Sequence, residues 1–133
     1  MVRAARFARS DRLLRSSEFR LLSRRGKRAA GHYFVLLWVV RTSKEGPKSP
    51  RIGITVSRKV GNAVIRNRIK RHVREWYRLD RDDLRGDVDV VVIARPAAAE
   101  LGTLETREIL REMVQRNSVG RAGPSSAVLK GQG

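Results

Sequence analysis

The 133-residue chain has no cysteine, few aromatic residues and few acids for its number of bases. Without cysteine there is no disulfide framework, no thiol nucleophile and no cysteine-ligated zinc or iron–sulfur site. The longest apolar run, Tyr33–Val40, has 8 residues, whereas a membrane-spanning helix needs roughly 20. The first residues also lack the apolar stretch of a secretory signal. We therefore expect a small, soluble, cytoplasmic protein.

Basic residues dominate the composition. Thirty lysines and arginines stand against 13 aspartates and glutamates, for a net charge of +17. Hydrophobic residues make up 41% of the chain, enough for a packed core. The charge excess is confined to residues 1–78, with 22 basic and 4 acidic residues, because residues 79–133 hold 8 and 9. Such asymmetry predicts a polyanionic partner, either nucleic acid or an anionic membrane surface.

The apolar pattern predicts a single-domain α+β fold, a two-layer sandwich with the element order α-β-β-α-β-α. The predicted helices are Ser17–Arg25, with Gly26 as its stop, Asn62–Leu79, with Asn62 as its candidate N-cap, and Thr103–Arg116. The predicted strands are Tyr33–Val40, Arg51–Val56 and Val88–Ala94. The first strand is apolar on both faces, so both faces should be covered. One face of the second strand carries only Gly53 and Thr55, which leaves room for the close approach of a helix or a ligand.

The domain is expected to span residues 1–116. Its residues 1–10 are expected to form a mobile basic arm. After the domain, residues 117–133 are rich in Gly, Ser and Pro and are expected to form a disordered tail.

The segment Ser57–Arg78 holds eight basic residues and one acid, Glu75. Its predicted helix has Ile65, Ile69, Val73 and Trp76 on one face, and Arg66, Lys70, Arg74 and Arg78 in an i, i+4 ladder beside them. A solvated helix face usually mixes charges of both signs. Repulsion between like charges costs only a few tenths of a kcal/mol, so a solvated face is not excluded. Neutralisation of phosphates explains the one-signed pattern more simply.

The segment Arg51–Glu75 reads RIGITVSRKVGNAVIRNRIKRHVRE and resembles the signature of the protein subunit of bacterial ribonuclease P. The resemblance includes the RNR motif, Arg66-Asn67-Arg68, followed by Lys70-Arg71. Further matches are Arg12-Leu13, Glu18-Phe19, Gly26, Phe34 and Asp89 through Arg95. The similarity covers about residues 10–116 of the chain.

This resemblance implies a subunit of a ribonucleoprotein that removes the 5′ leader from precursor tRNA. The RNA subunit would hold the catalytic Mg²⁺, and the protein would supply no nucleophile, general base or oxyanion donor. Its partners would be ribonuclease P RNA and precursor tRNA, with no membrane and no stable protein partner required. The implied fold is ribosomal-protein-S5-domain-2-like with a left-handed β-α-β crossover, although the general rule predicts a right-handed one.

The resemblance also implies two RNA-binding surfaces. The residues matching the surface for the catalytic RNA are Arg58, Lys59, Arg66, Asn67, Arg68, Lys70, Arg71 and Arg74. Asn67 has two open interpretations, since it either binds RNA or braces the turn before the helix. The residues matching a cleft for the single-stranded leader are Phe19, Val35, Leu37 and Arg95, with Arg12 at its edge.

The leader cleft departs from the family pattern at two positions. Ser23 and Leu37 stand where family members often carry aromatic residues. Phe19 is then the one clear platform for base stacking, and its alternative role is to anchor the first helix in the core. Leader binding is therefore expected to depend more on contacts with arginine and aliphatic side chains than on base stacking.

Three other groups of residues are weaker candidates for a functional site. The aspartates between Asp80 and Asp89 suggest either a hard-metal site or a solvated turn. His32 and His72 are the only histidines, and nothing in the sequence orients them as a catalytic pair. Trp38 and Trp76 are predicted to be core residues. The rival functions are a ribosomal or other structural RNA-binding protein, a small nucleoid protein, and a nuclease acting alone.

Overall fold

The computed structural model describes residues 20, 22, 24–41, 50–84 and 87–119. In these ranges the elements are β1 (Lys27–Ala30), β2 (Phe34–Val40), β3 (Arg51–Val56), α1 (Ala63–Asp80), β4 (Val88–Ala94) and α2 (Thr103–Asn117), with 3-10 turns at Arg81–Asp83 and Pro96–Glu100. Arg20, Leu22, Arg24 and Arg25 are also helical, as predicted for the first helix. The α+β sandwich is confirmed. Each predicted helix or strand that the structure describes in full begins and ends within one residue of its predicted bounds.

The strands form one sheet in the order β1-β2-β4-β3. β2 is antiparallel to both β1 and β4, whereas β3 and β4 are parallel and are connected through α1. A parallel pair needs such a crossover because a tight turn cannot join its ends. The left-handedness of this β-α-β crossover stays a prediction from the family resemblance.

The predicted element order is wrong at one point, because it omits β1. The four residues of β1, KRAA, show no apolar alternation and are mostly exposed, so the sequence carries no strand signal there. The strand forms because a tight hairpin, closed by a 2.8 Å hydrogen bond from Gly31 N to Phe34 O, returns the chain along β2.

Gly26 separates the first helical residues from β1, as predicted. Its amide donates to Leu22 O at 2.8 Å. A Cβ atom at this position would lie 2.6 Å from Leu22 O and 2.7 Å from Trp38 O. Only glycine therefore allows the helical backbone to pass this close to β2.

The main core lies between the sheet and the two helices. From β2 it contains Phe34, Leu36 and Trp38, and from α1 it contains Ile69, Val73, Trp76 and Tyr77. Trp38 and Trp76 are 5% and 1% exposed, which confirms their assignment to the core. The Tyr77 hydroxyl donates to Pro50 O at 2.7 Å, so α1 also fixes the entry to β3.

The outer face of the sheet, defined here as the face directed away from α1 and α2, has a second and smaller apolar cluster. Leu22 packs there on Leu37 and Val91, with Val39 and Ile93 partly buried beside them. Both faces of β2 are therefore covered, as predicted.

A buried ion pair closes one end of the outer face. Asp89 is 6% exposed. Arg51 donates from Nε and Nη2 to its two carboxylate oxygens, both at 2.9 Å, and Arg41 donates to Oδ1. These three residues lie on β4, at the start of β3 and just after β2, so the carboxylate joins the ends of three neighbouring strands.

The C-terminal boundary lies slightly beyond the predicted one. α2 includes Asn117, and Val119 is fully buried in the main core. The rest of the predicted tail, residues 120–133, and the predicted arm at residues 1–10 lie outside the described residues. No helix in the described ranges is long and apolar enough to cross a bilayer.

Replacing Asp89 with asparagine should lower the free energy of unfolding by about 2–3 kcal/mol, because the change removes the charge that holds both guanidiniums. Denaturant unfolding followed by the fluorescence of Trp38 and Trp76 measures this directly. The control is Asp82→Asn in the exposed 3-10 turn, which should change the unfolding free energy by less than about 0.5 kcal/mol. Equal effects of the two changes would contradict the structural role of the Asp89 ion pair.

Candidate nucleic-acid interface

The basic helix α1 begins directly after a short lead-in from β3. Asn62 caps the helix, with its side-chain oxygen accepting a hydrogen bond from Ile65 N at 3.0 Å, as the sequence predicts. Val60 is buried and anchors the lead-in, while Arg58 and Lys59 are exposed before it. The two basic residues thus project from the helix N-terminus, where backbone N–H groups also favour anions.

The structure brings the eight residues matched to the catalytic-RNA surface together on α1 and its lead-in. Arg58, Lys59, Asn67 and Arg71 are exposed, and Arg66, Arg68, Lys70 and Arg74 are half-buried. Asn67 and Arg71 lie one turn apart, about 6 Å along the helix axis. Since Asn62 caps the turn before the helix and Asn67 is exposed, the geometry favours the RNA-binding interpretation of Asn67.

The two arginines of the RNR motif are partly buried. Arg68 Nη2 donates to Ala99 O at 2.7 Å, which ties α1 to the turn before α2. The Nε atoms of Arg66 and Arg68 are buried and have no hydrogen-bond partner among the described residues. Their charges are therefore partly dehydrated, which strengthens their attraction for a phosphate.

The single acid of the segment is neutralised locally. Arg78 donates to Glu75 from Nη2 at 2.5 Å and from Nε at 3.2 Å. This hydrogen bond lowers the pKa of the Glu75 carboxyl and raises the pKa of Arg78. Glu75 thus pairs towards the C-terminal end of α1, away from the RNR motif, and the helix keeps one sign of charge along its first turns.

Two of the aspartates between Asp80 and Asp89 are held in ion pairs, Asp80 by Arg107 and Asp89 by Arg51. Asp80 is buried and accepts hydrogen bonds from Arg107 at 2.7 and 3.0 Å, and Arg111 lies 3.8 Å away. The hydrogen bond to Asp80 raises the pKa of Arg107. Asp80 is therefore part of the contact between α1 and α2, so the solvated-turn interpretation is wrong for this residue. Across the described ranges, no three His, Asp or Glu residues are grouped as metal ligands.

The structure describes three of the five residues matched to the leader cleft, and these differ in exposure. Val35 and Leu37 lie on the outer face and are 7% and 8% exposed. Arg95 is exposed at the end of β4, and its Nη1 donates to Gly31 O at 3.3 Å. Phe19 and Arg12 lie outside the described residues.

The strand register orders the outer face into rows across the sheet. One row is Arg28, Leu37, Val91 and Gly53, and the next is Ala30, Val35, Ile93 and Thr55. Leu22 covers the first row. We call the second row the accessible row, because Ala30 and Thr55 are exposed and Ile93 is half-buried, while Val35 between them is buried.

The sequence model of the ribonuclease P family matches residues 7–118, which include every described residue except Val119. The chain belongs to the ribonuclease P protein family. It is 41% identical over 110 residues to the ribonuclease P protein component of Desulforapulum autotrophicum, covering 83% of this chain and 91% of that one. This match runs across both candidate surfaces.

Solved ribonuclease P proteins share the fold. The protein from Staphylococcus aureus is 30% identical with a TM-score of 0.74, covering 84% of this chain and 98% of that one. The protein from Thermotoga maritima is 32% identical with a TM-score of 0.69, covering 79% and 96%. This chain is therefore the protein subunit of ribonuclease P, an endoribonuclease of tRNA processing, and the alternative of a ribosomal protein is not favoured.

The two histidines of this ribonuclease P protein have different surroundings. His32 lies in the hairpin before β2, with its ring edge-on to Tyr33 at a centroid distance of 4.7 Å. His72 lies in the middle of α1, and its Nδ1 is buried without a hydrogen-bond partner in the described part of the chain. Burial, followed by the charges of Arg68 and Arg71, lowers the pKa of His72.

This lowered pKa predicts how stability depends on pH. The unfolded chain takes up a proton at His72 more readily than the folded chain, so folding loses stability as the pH falls through the ordinary histidine pKa of about 6.5. The wild type should therefore lose more unfolding free energy than His72→Gln between about pH 7.5 and pH 5.5. Parallel stability curves for the two proteins across this range would contradict the prediction.

Proposed function

We propose that this ribonuclease P protein binds the catalytic RNA through α1 and its lead-in, and the 5′ leader of precursor tRNA through the outer face of the sheet. Together these contacts promote endonucleolytic removal of the leader, which gives the mature tRNA 5′ end. The observation that carries the proposal is the excess of positive charge along α1, whose two acids, Glu75 and Asp80, are already paired with Arg78 and Arg107.

The surface of α1 and its lead-in fits a structured RNA because its cations differ in burial. Lys59 and Arg71 are exposed, whereas Lys70, Arg66 and Arg68 are half-buried, and the two arginines carry buried Nε atoms. Exposed cations gain affinity by releasing the counterions of the RNA. The partly dehydrated arginines add fixed forks of donors that suit phosphate geometry.

The outer face fits a single strand better than a duplex. It offers a narrow accessible row with Thr55 exposed and Ile93 half-buried, and Arg95 is exposed one row beyond it. Because Leu22 covers Leu37, the leader is proposed to lie on this row rather than directly over Leu37. Contacts to aliphatic side chains and to the sugar–phosphate backbone tolerate many leader sequences.

The catalytic Mg²⁺ is proposed to be held mainly by the RNA subunit. A carboxylate held by arginine is a poor ligand for a hard cation. Asp80 is held by Arg107, and Asp89 by Arg51 and Arg41. The role proposed for the protein's own side chains is binding and positioning, and the hydrolytic chemistry is assigned to the RNA.

The first test is cleavage of a precursor tRNA at low Mg²⁺ by the protein alone, by a bacterial ribonuclease P RNA alone and by the two together. Cleavage at the mature 5′ end that needs both components supports the proposal. Cleavage by the protein alone would place the chemistry on its side chains. Tight RNA binding without stimulation of cleavage would favour a structural RNA-binding protein.

Substitutions on α1 should separate binding from stability. Arg71→Ala should weaken assembly with the RNA by roughly 3- to 10-fold and lower the salt slope by about 1, with little change in stability. Arg68→Ala should weaken assembly in the same way and also cost about 1 kcal/mol of unfolding free energy, because Ala99 O loses its donor.

The matched control is Arg116→Ala, which removes an equal charge from the exposed end of α2. Its pair with Glu112 is solvent-exposed and contributes little to stability. Assembly of this variant should equal that of the wild type. If Arg71→Ala and Arg116→Ala assemble equally well with unchanged salt slopes, the assignment of α1 to the catalytic RNA is wrong.

A further inference from the structure

The edge strand β1, which the sequence pattern does not reveal, places a basic residue on the outer face. Arg28 pairs in register with Leu37 of β2, so its side chain lies on the same face as Leu37 and Val91. The residue is exposed. We propose that Arg28 is a further leader-binding residue, whose guanidinium contacts a phosphate of the single-stranded leader. This inference rests on the proposed leader site.

The charge of Arg28 is unpaired in the part of the chain that the structure describes. No ion pair or side-chain hydrogen bond of Arg28 occurs within the described ranges. Asp89 is the one acid among the described strand residues of the outer face, and Arg41 and Arg51 already bind it. A charge that no described group compensates is available to an anionic ligand.

The position of Arg28 relative to Arg95 gives the proposal its geometry. β1 and β4 run in the same direction, because both are antiparallel to β2. Arg28 lies one row before the accessible row of Ala30, Val35, Ile93 and Thr55, and Arg95 lies one row after it. At about 3.3 Å per residue, the two arginine rows are about 13 Å apart. A nucleotide on the accessible row therefore has one arginine on each side.

The competing explanation of Arg28 is protection of the sheet edge. Charged residues on an edge strand prevent pairing with another chain, and Lys27 and Arg28 are adjacent on β1. The two residues differ in the face they occupy, since Lys27 is in register with Trp38 and lies on the helix side of the sheet. Edge protection predicts similar effects for the two residues, whereas leader binding predicts an effect of Arg28 alone.

The test uses holoenzyme reconstituted with wild type, Arg28→Ala, Arg28→Lys or Lys27→Ala protein. Each is bound to a precursor tRNA with a long single-stranded leader and to one with a single-nucleotide leader. Arg28→Ala should weaken binding of the long-leader substrate roughly 3- to 10-fold and lower its salt slope by about 0.7. Binding of the short-leader substrate should stay unchanged.

The other two variants should separate charge from position. Arg28→Lys should retain most of the affinity, because a lysine also neutralises a phosphate. Lys27→Ala should bind both substrates as the wild type does. Thermal unfolding of each free protein checks that the variants are folded.

Three results would overturn the inference. If Arg28→Ala and Lys27→Ala bind the long-leader substrate equally, while the wild type still prefers it to the short-leader substrate, the leader site stands and Arg28 is not part of it. If Arg28→Ala weakens both substrates equally, Arg28 contacts the tRNA body or the catalytic RNA. If the wild type shows no preference for the long leader, the proposed leader site fails and the inference fails with it.

Discussion

The pairing of β2 with β4 is the constraint on which the rest of this ribonuclease P protein depends. Both strands carry apolar side chains on both faces, so neither face of their pair tolerates full exposure to water. The two helices cover one face and complete the main core. Among the described residues, Leu22 covers part of the other face, beside the accessible row.

A second feature is that both acids of α1 are paired with particular arginines. Glu75 pairs with Arg78, and Asp80 pairs with Arg107. These contacts join turns and helices at the C-terminal half of α1, and they leave its N-terminal half with one sign of charge. Local neutralisation therefore does two things at once, since it stabilises the packing of α1 on α2 and keeps the RNR end attractive to phosphate.

The sequence predicted most of the fold because the relevant signals are local. The β-branched strands, the Asn62 cap and the apolar stripe of α1 each appear within one turn or one strand of the chain. β1 was not predictable, because KRAA forms a strand only through its pairing with β2. The same limit applies to the sites. The basic surface of α1 follows from residue spacing, whereas the place of Arg28 beside Leu37 and the binding of Asp80 by Arg107 depend on register and helix packing.

One element, α1, is both the proposed RNA-binding surface and the connection between β3 and β4. A ligand that binds only the folded state adds to its stability by mass action, by about 2.7 kcal/mol when its concentration is 100 times the dissociation constant. RNA bound to α1 would therefore hold the crossover, and with it the parallel half of the sheet. Protein made in excess of its RNA would open more often and be degraded sooner. The amount of protein in a cell would then follow the supply of RNA without a dedicated regulator.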